Sequence, residues 1–174
     1  NSVVNFTKKN KSSDVLVLNS GGPPPLDFNK INKSDWEKYF NQLFLGFFLL
    51  LKHIKINKNG YVFYISSSII KEPGTGLVIS SSLRSAMSSL LKSYSILQAK
   101  NNVSVINIAP GPFKTGRVKE LVKNIKKFEK TLPTGKIGNP EEIGKFVSFI
   151  VKNKIKYISG STIYFDGNLN KNYL

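Results

Sequence analysis

Two serine triplets, at residues 66–68 and 80–82, flank a short polar loop, and Arg84 follows the second triplet within one helical turn. A serine hydroxyl is a weak acid, and it becomes reactive only beside a base. The nearest carboxylate along this stretch is Glu72. Arg84 keeps its positive charge at neutral pH, so it can bind an anion or a sugar hydroxyl but cannot shuttle a proton. These residue types favour a site that binds and orients a ligand.

The composition excludes several other chemistries. The chain has no cysteine and a single histidine, His53, so we expect no disulfide, no thiol nucleophile and no metal site. Its 174 residues, of which 40% are hydrophobic, suffice for one domain with a core. The apolar run at residues 43–51 is shorter than the roughly 20 residues that span a bilayer. We therefore expect a cytoplasmic protein without a membrane partner.

The formal net charge of +16 raises the question of a nucleic-acid partner. The lysines are scattered over loops and helix ends, and no aromatic residues are interleaved with them. We therefore expect no nucleic-acid partner. A basic protein associated with nucleic acid stays open as an alternative, and strongly salt-dependent retention on DNA or RNA would support it.

The elements that must position these residues alternate between strand-like and helix-like patterns. The strand-like runs are residues 14–19, 61–66, 103–108 and 161–167. Helical periodicity between them favours an α/β fold with a parallel sheet covered on both faces, a three-layer α/β/α arrangement. Ligands of such sheets bind at the carboxyl ends of the strands. The loops after Asn19, Ile65 and Ile108 are therefore the candidate site.

Three helices have recognisable first residues. Ser34 and Glu37 have the spacing of a capping box. Ser80–Ser82 is the expected start of the second helix. Asn139 is the expected N-cap of the last helix, with Pro140 in its first turn.

Five motifs, in order from residue 14 to residue 168, resemble those of the short-chain dehydrogenase/reductase family. LNSGG at residues 18–22 is similar to the family's Asn-Asn-Ala-Gly turn, and YISS at 64–67 to the strand that ends in the catalytic serine. APGPFKT at 109–115 is similar to the turn that contacts the nicotinamide half of the cofactor. GKIGNPEEIGKFVSFI and YISGSTIYFDG are similar to the last helix and strand. The glycine- and proline-rich loop and the serine–arginine pair resemble an atypical subgroup related to 3-oxoacyl-carrier-protein reductases.

The resemblance assigns catalytic positions and also shows substitutions at them. Ser67 occupies the serine position. Ser80, thirteen residues on, stands where the family has tyrosine, and Arg84 where it has lysine. The position of the family's asparagine falls on Leu43, with Asn41 two residues away. The usual proton donor is therefore replaced, and Ser67, Ser80 and Arg84 are the catalytic candidates that the resemblance implies.

The resemblance further implies NAD or NADP as cofactor. The residues that would contact it are Asn19, Gly21, Pro110, Gly111, Phe113 and Thr115. The family's glycine-rich phosphate-binding turn and first βαβ half have no counterpart in the sequence. We therefore expect residues 1–174 to form one incomplete Rossmann-like, doubly wound domain, an N-terminally truncated fragment that is inactive alone, with residues 1–13 as the end of a helix or a linker.

The function implied is that of an NAD(P)-dependent oxidoreductase acting on a small carbonyl or alcohol. The alternative is a non-catalytic member of the fold that binds a nucleotide or a protein. The resemblance also implies a homodimer or homotetramer, because the helices at residues 35–51 and 83–97 correspond to those that form a four-helix interface between family subunits.

Overall fold

A computed structural model describes residues 2–171, and its centre is a parallel sheet of four strands in the order β1-β2-β3-β4. The strands are β1 (Ser12–Leu18), β2 (Lys55–Ile65), β3 (Ser104–Pro110) and β4 (Thr162–Phe165). All three pairings are parallel, as the alternation of patterns predicts. The carboxyl ends of the strands therefore lie along one edge of the sheet.

The helices connect successive strands and cover the sheet. They are α1 (Ser2–Lys9), α2 (Lys33–Phe40), α3 (Gly46–His53), α4 (Val78–Gln98), α5 (Gly116–Leu121), α6 (Ile125–Glu129) and α7 (Pro140–Lys152). A π-helical turn, Asn41–Leu45, joins α2 to α3. Within residues 2–171, none of these helices combines the length and the apolar character needed to cross a bilayer.

Two hydrophobic clusters fill the spaces on either side of the sheet. On one side α3 and α4 pack on the strands, with Phe47, Tyr64 and Met87 at the centre of the cluster. On the other side α7 packs on Phe63 and Ile108 of the sheet. These clusters confirm the three-layer α/β/α arrangement. They also fix the orientation of α4, whose first turn lies at the carboxyl edge of β2.

The predicted capping box at Ser34 and Glu37 is wrong. The box is formed by Asn32 and Asp35: Asn32 Oδ1 accepts from the Asp35 N–H at 3.0 Å, and Asp35 Oδ2 accepts from the Asn32 N–H at 3.1 Å. The helix begins at Lys33, so Ser34 already lies inside its first turn. Asparagine competes well for the N-cap position, which explains the shift.

The structure adjusts one other helix start and confirms a second. Helix α4 begins at Val78, so Ser80 lies inside its first turn, facing inward. Asn139 caps α7 as predicted, accepting from the Glu141 N–H at 3.2 Å, and Pro140 is the first helical residue.

Candidate active site

The carboxyl ends of β1, β2 and β3 lie side by side, and the loops that follow them are the predicted candidate site. Ser66 joins two of them, because its N–H and its Oγ both donate to the Ile108 carbonyl, at 2.8 and 3.1 Å. The buried Ser66 side chain is therefore used in packing the strand ends. Ser67, the next residue, is left to face the site.

Ser67 is the catalytic candidate with the most accessible hydroxyl. Its backbone is extended, and it caps the 3-10 turn Ser68–Ile70 with a long hydrogen bond of 3.5 Å from the Ile69 N–H to its Oγ. The side chain is half-buried. Since Oγ only accepts in this contact, its own hydrogen is available to a ligand.

Arg84 occupies the centre of the strand ends. Its Nη1 donates to the carbonyls of Ile65 and Ser66, both at 3.0 Å, and its Nη2 donates to the Ser20 carbonyl at 3.0 Å. Its Nε donates to Ser80 Oγ at 3.3 Å. The guanidinium thus ties the end of β2 to the loop after β1, and it contacts Ser80 one helical turn earlier on α4.

The charge of Arg84 is deeply buried and has no acidic partner within the part of the chain that the structure describes. The residue is 6% exposed, and the ion pairs found among residues 2–171 do not include it. Burial lowers the pKa of Arg84, and the nearby Arg117 cation lowers it further, while Tyr64 raises it in part. The dipoles of three carbonyls therefore compensate this charge.

Tyr64 lies beside Arg84 but belongs to the core. Its side chain is fully buried against Phe47, with the ring centroids 5.7 Å apart in an edge arrangement. Burial raises the pKa of Tyr64, and the Arg84 charge offsets this only in part. No described residue makes a hydrogen bond of acceptable geometry with its hydroxyl. Tyr64 therefore does not replace the missing catalytic tyrosine.

The loop at residues 20–26, here called the Gly-Pro loop, covers Ser80 and Arg84. Gln42 Nε2 donates to the Gly21 carbonyl at 2.9 Å, and Arg117 Nη2 donates to the Pro23 carbonyl. These contacts, together with the Arg84 bond to Ser20, fix the loop over the site. Sequence reasoning missed both Gln42 and Arg117, since their contacts join segments far apart in the chain.

The position of the family's asparagine carries no polar group. Leu43 lies in the π-helical turn and is fully buried in a cluster with Tyr39, Ile79 and Leu83. Asn41 is exposed. Neither residue can relay a proton from the strand ends.

The predicted cofactor residues fall into two groups: Asn19 and Gly21 lie in the loop after β1, and the other four lie at or after the end of β3. Asn19 and Gly21 are exposed beside the Arg84 network, and the space where a Gly21 Cβ would stand has no atom within 4 Å. Gly111 is fixed by packing, because a Cβ there would lie 2.8 Å from Asp166 Cα, and its N–H donates to the Phe165 carbonyl.

Pro110 ends β3, and Phe113 lies in the turn after it. A Cβ on Gly138 would lie 2.7 Å from Phe113 Cε1, so this close contact holds the ring against the chain before α7. Thr115 is exposed, and its Oγ1 donates to the Phe113 carbonyl at 3.3 Å. Phe113 lines a separate half-open cavity of about 480 Å³ between β4 and the start of α7.

A doubly wound parallel sheet with polar loops at its carboxyl edge defines a Rossmann-like α/β protein. A family described as enoyl-(acyl carrier protein) reductase matches residues 1–170. The chain belongs to the short-chain dehydrogenase/reductase family, as a member similar to the 3-oxoacyl-carrier-protein reductases.

Two curated relatives illustrate the similarity. The chain is 31% identical over 162 residues to the 3-oxoacyl-[acyl-carrier-protein] reductase of Aquifex aeolicus, covering 90% of this chain and 65% of that protein. It is 27% identical over 170 residues to the NADPH-dependent reductase BacG of Bacillus subtilis, covering 88% of this chain and 66% of that protein. The chain thus spans slightly less than two thirds of the length of these relatives.

Solved structures show the same fold. A short-chain dehydrogenase family protein from Francisella tularensis superposes with a TM-score of 0.86 at 20% identity, over 96% of this chain and 76% of that chain. A short-chain dehydrogenase/reductase from Brucella melitensis, titled glucose/ribitol dehydrogenase, gives 0.86 at 20% identity, over 98% and 71%.

Proposed function

We propose that the complete protein is an NAD(P)-dependent oxidoreductase that reduces a small carbonyl compound or oxidises the corresponding alcohol. The observation that carries the proposal is the half-buried Ser67 hydroxyl at the end of β2, one residue after the Ser66 carbonyl that Arg84 binds, in a chain of this family. Two relatives are described as reductases, which supports reduction of a carbonyl as the direction of the reaction.

The residues present suit the nicotinamide half of the cofactor. The open space beside Gly21 borders the strand ends, and Asn19 is exposed beside it. We propose these two residues, with Pro110 and Gly111, as the contacts of an NAD or NADP ring, and Phe113 and Thr115 as contacts further along the same turn. When bound, the cofactor supplies or accepts the hydride.

The chain's own residues would polarise the substrate. Ser67 donates a hydrogen bond to the substrate oxygen, and the positive charge of Arg84 stabilises the negative charge that develops there. Ser80 is buried and its Oγ accepts from Arg84, so it positions the guanidinium. Within residues 2–171 neither serine hydrogen-bonds to a base, and Arg84 stays charged, so the proton that completes an alcohol comes from water.

Hydride transfer by the complete protein tests this proposal. We expect oxidation of NADH or NADPH with at least one member of a panel of aldehydes, ketones and oxo acids. Ser67→Ala should lower kcat/KM about a hundredfold, since one hydrogen bond to the developing oxyanion is lost. Ser82→Ala is the matched control, because Ser82 is exposed on α4. Equal effects of the two substitutions would count against the role of Ser67.

One observation favours a second candidate, a non-catalytic protein that binds a nucleotide or a protein. Ser80 and Arg84 are 5% and 6% exposed and bind each other, so the two replaced catalytic positions are used within the structure. Cofactor binding without turnover across the panel would establish this candidate and exclude the oxidoreductase.

We propose that the complete protein is a homodimer or homotetramer and that it is cytoplasmic. Oligomerisation is supported by large apolar side chains exposed on the α2–α4 side of the sheet: Trp36, Phe40, Phe48, Ile96 and Leu97. The location stays a prediction, as does the absence of a nucleic-acid partner.

A further inference from the structure

The space beside Gly22 is surrounded by hydrogen-bond donors. A Cβ at this position would have as its nearest atoms Ser80 Oγ at 3.4 Å, Arg84 Nη2 at 3.7 Å and Arg117 Nη2 at 3.8 Å. All three atoms are polar. Ser80 and Arg84 lie one turn apart on α4, and Arg117 lies on α5. Because Gly22 has no side chain, the space that they enclose can hold one atom of a ligand.

In the hydrogen bonds formed among residues 2–171, each of these atoms keeps a hydrogen without an acceptor. Arg84 makes four hydrogen bonds with its five N–H groups, and only one of them comes from Nη2. Arg117 Nη2 donates one hydrogen to the Pro23 carbonyl. Ser80 Oγ accepts from Arg84 and, among the described residues, donates to none. Three spare hydrogens are therefore available around one point.

The charge at this point is positive and not neutralised locally. Arg84 has no acidic partner within the described part of the chain. Arg117 pairs with Glu120 through Nη1, at 3.1 Å, and that pair is partly exposed to solvent. Two arginines that approach each other without a shared carboxylate repel, and an anion between them removes that repulsion.

We propose that Ser80, Arg84 and Arg117 form a binding site for a negatively charged oxygen beside Gly22. The three polar atoms lie 3.4 to 3.8 Å from the position of that Cβ, close to the usual hydrogen-bonding distance of about 2.9 Å. The approach passes Gly21, beside which there is open space. Resting on the proposed function, this site selects carbonyl substrates that carry a carboxylate or phosphate group, and it makes Arg117 a specificity-determining residue.

Anion binding to the complete protein, without cofactor or turnover, tests the site. Formate and inorganic phosphate are the probes, formamide is the neutral control, and ionic strength is held constant with chloride. We expect formate or phosphate to raise the thermal unfolding midpoint in a saturable manner, and formamide to leave it unchanged. The response to each anion decides between carboxylate and phosphate. No response to either anion would overturn the proposal.

Two glycine-to-alanine substitutions give a sharp comparison. Gly22→Ala places a methyl group in the proposed anion position at ordinary contact distances, whereas Gly74→Ala, in the exposed loop before α4, meets no atom within 4 Å. We expect Gly22→Ala to weaken anion binding at least about tenfold, and Gly74→Ala to leave it unchanged. Equal affinities in the two variants would overturn the site.

Arg117→Gln provides a second variant if Gly22→Ala does not fold. It should weaken formate or phosphate binding about tenfold, with Arg117→Lys restoring part of the affinity. Lys114→Gln, an exposed lysine of the same segment, is the matched control for net charge. Anion binding with no carbonyl reduction would reject the oxidoreductase but keep the site, whereas carbonyl reduction with no anion binding would reject the site alone.

Discussion

At the scale of single residues, the exchange of tyrosine and lysine for Ser80 and Arg84 changes what these positions do. A lysine four residues after a tyrosine lowers the pKa of that tyrosine, and the pair faces the cofactor in the family that the chain resembles. Here the guanidinium turns to the backbone and binds the carbonyls of Ile65, Ser66 and Ser20. A planar group with five donors can do this, and an ammonium group cannot reach all of these acceptors at once.

The first prediction concerns the backbone contacts of Arg84. Arg84→Met keeps the length of the side chain but leaves three carbonyls at the strand ends without their donor. We expect the free energy of unfolding to fall by about 3 kcal/mol or more, and Arg84→Lys to lose less. Urea unfolding followed by circular dichroism measures both. A Met variant as stable as the unsubstituted chain would contradict the bridging role.

The second prediction uses the hydroxyl of Tyr64, which has no hydrogen-bond partner among the described residues. Tyr64→Phe removes the cost of burying this hydroxyl and also its favourable interaction with Arg84, so the free energy of unfolding should change by less than about 1 kcal/mol at neutral pH.

The same variant has a pH dependence with a defined sign. Burial raises the pKa of Tyr64 above 10.0, the ordinary value for tyrosine, so the folded state holds the phenolic proton more tightly than the unfolded state. The stability that this tighter proton binding gives is fully present below pH 10. It is lost as the pH rises through the pKa of the folded state. Tyr64→Phe should therefore lose less stability between pH 9 and 11, as measured by urea unfolding. Tyr157→Phe, at a fully exposed tyrosine, is the control and should behave like the unsubstituted chain.

The sequence could predict only those candidate-site residues that are related by spacing along one segment. Ser67, Ser80 and Arg84 lie in one strand–loop–helix unit, and Arg84 Nε donates to Ser80 Oγ one helical turn earlier. Arg117 was not predictable, because it meets Pro23, which is 94 residues away in the sequence. No local pattern records which loops will approach each other at the carboxyl edge of a sheet.

At the scale of elements, alternation of hydrophobic patterns predicted the four strands and the two long helices, but not their details. The π-helical turn at Asn41–Leu45 is one such detail. A π-helical turn adds a residue without changing the apolar character of a run, so hydrophobic periodicity over that region still indicates a plain helix. The first residue of α2 is another detail that the hydrophobic pattern does not predict. Two overlapping residue pairs, Asn32–Asp35 and Ser34–Glu37, both have capping-box spacing.

The third prediction separates those two caps. Asn32→Ala removes the acceptor of the Asp35 N–H and should lower the free energy of unfolding by about 1 kcal/mol. Ser34→Ala removes the exposed hydrogen bond of 2.6 Å from the Ser34 hydroxyl to Asn32 Oδ1 but leaves the bond to the Asp35 N–H, so it should change the free energy of unfolding by less than about half of that amount. Urea unfolding of the two variants side by side measures the difference. A larger loss for Ser34→Ala would return the cap to the position that the sequence indicated.

At the scale of the whole molecule, the two faces of the sheet differ in how well they are covered. On the α3/α4 side the cluster around Met87 is closed, but Leu97 farther along α4 is 68% exposed. On the other side α7 and the segment after it, with Ile155 and Ile158, pack on the strands, and Val17 of the edge strand β1 is 49% exposed. Exposed apolar groups of this size favour association, and an unpaired strand edge adds to it.

The fourth prediction concerns this association and its dependence on salt. The net charge of +16 makes copies of the chain repel. At 0.1 M ionic strength, salt largely screens this repulsion between charges that are more than about 10 Å apart. If the apolar side chains of α3 and α4 form the contact, sedimentation velocity should show oligomers that increase with salt. Phe48→Lys and Leu97→Lys should shift the population toward monomer.

Phe149→Lys is the matched control for this experiment, because Phe149 is 56% exposed on α7, on the opposite side of the sheet. It introduces the same charge but should leave the oligomers unchanged. If all three substitutions dissociate the oligomer equally, net charge governs the assembly and the α3/α4 contact is wrong. A chain that stays monomeric at every salt concentration would show that the uncovered apolar residues on both sides of the sheet are too dispersed to hold two copies together.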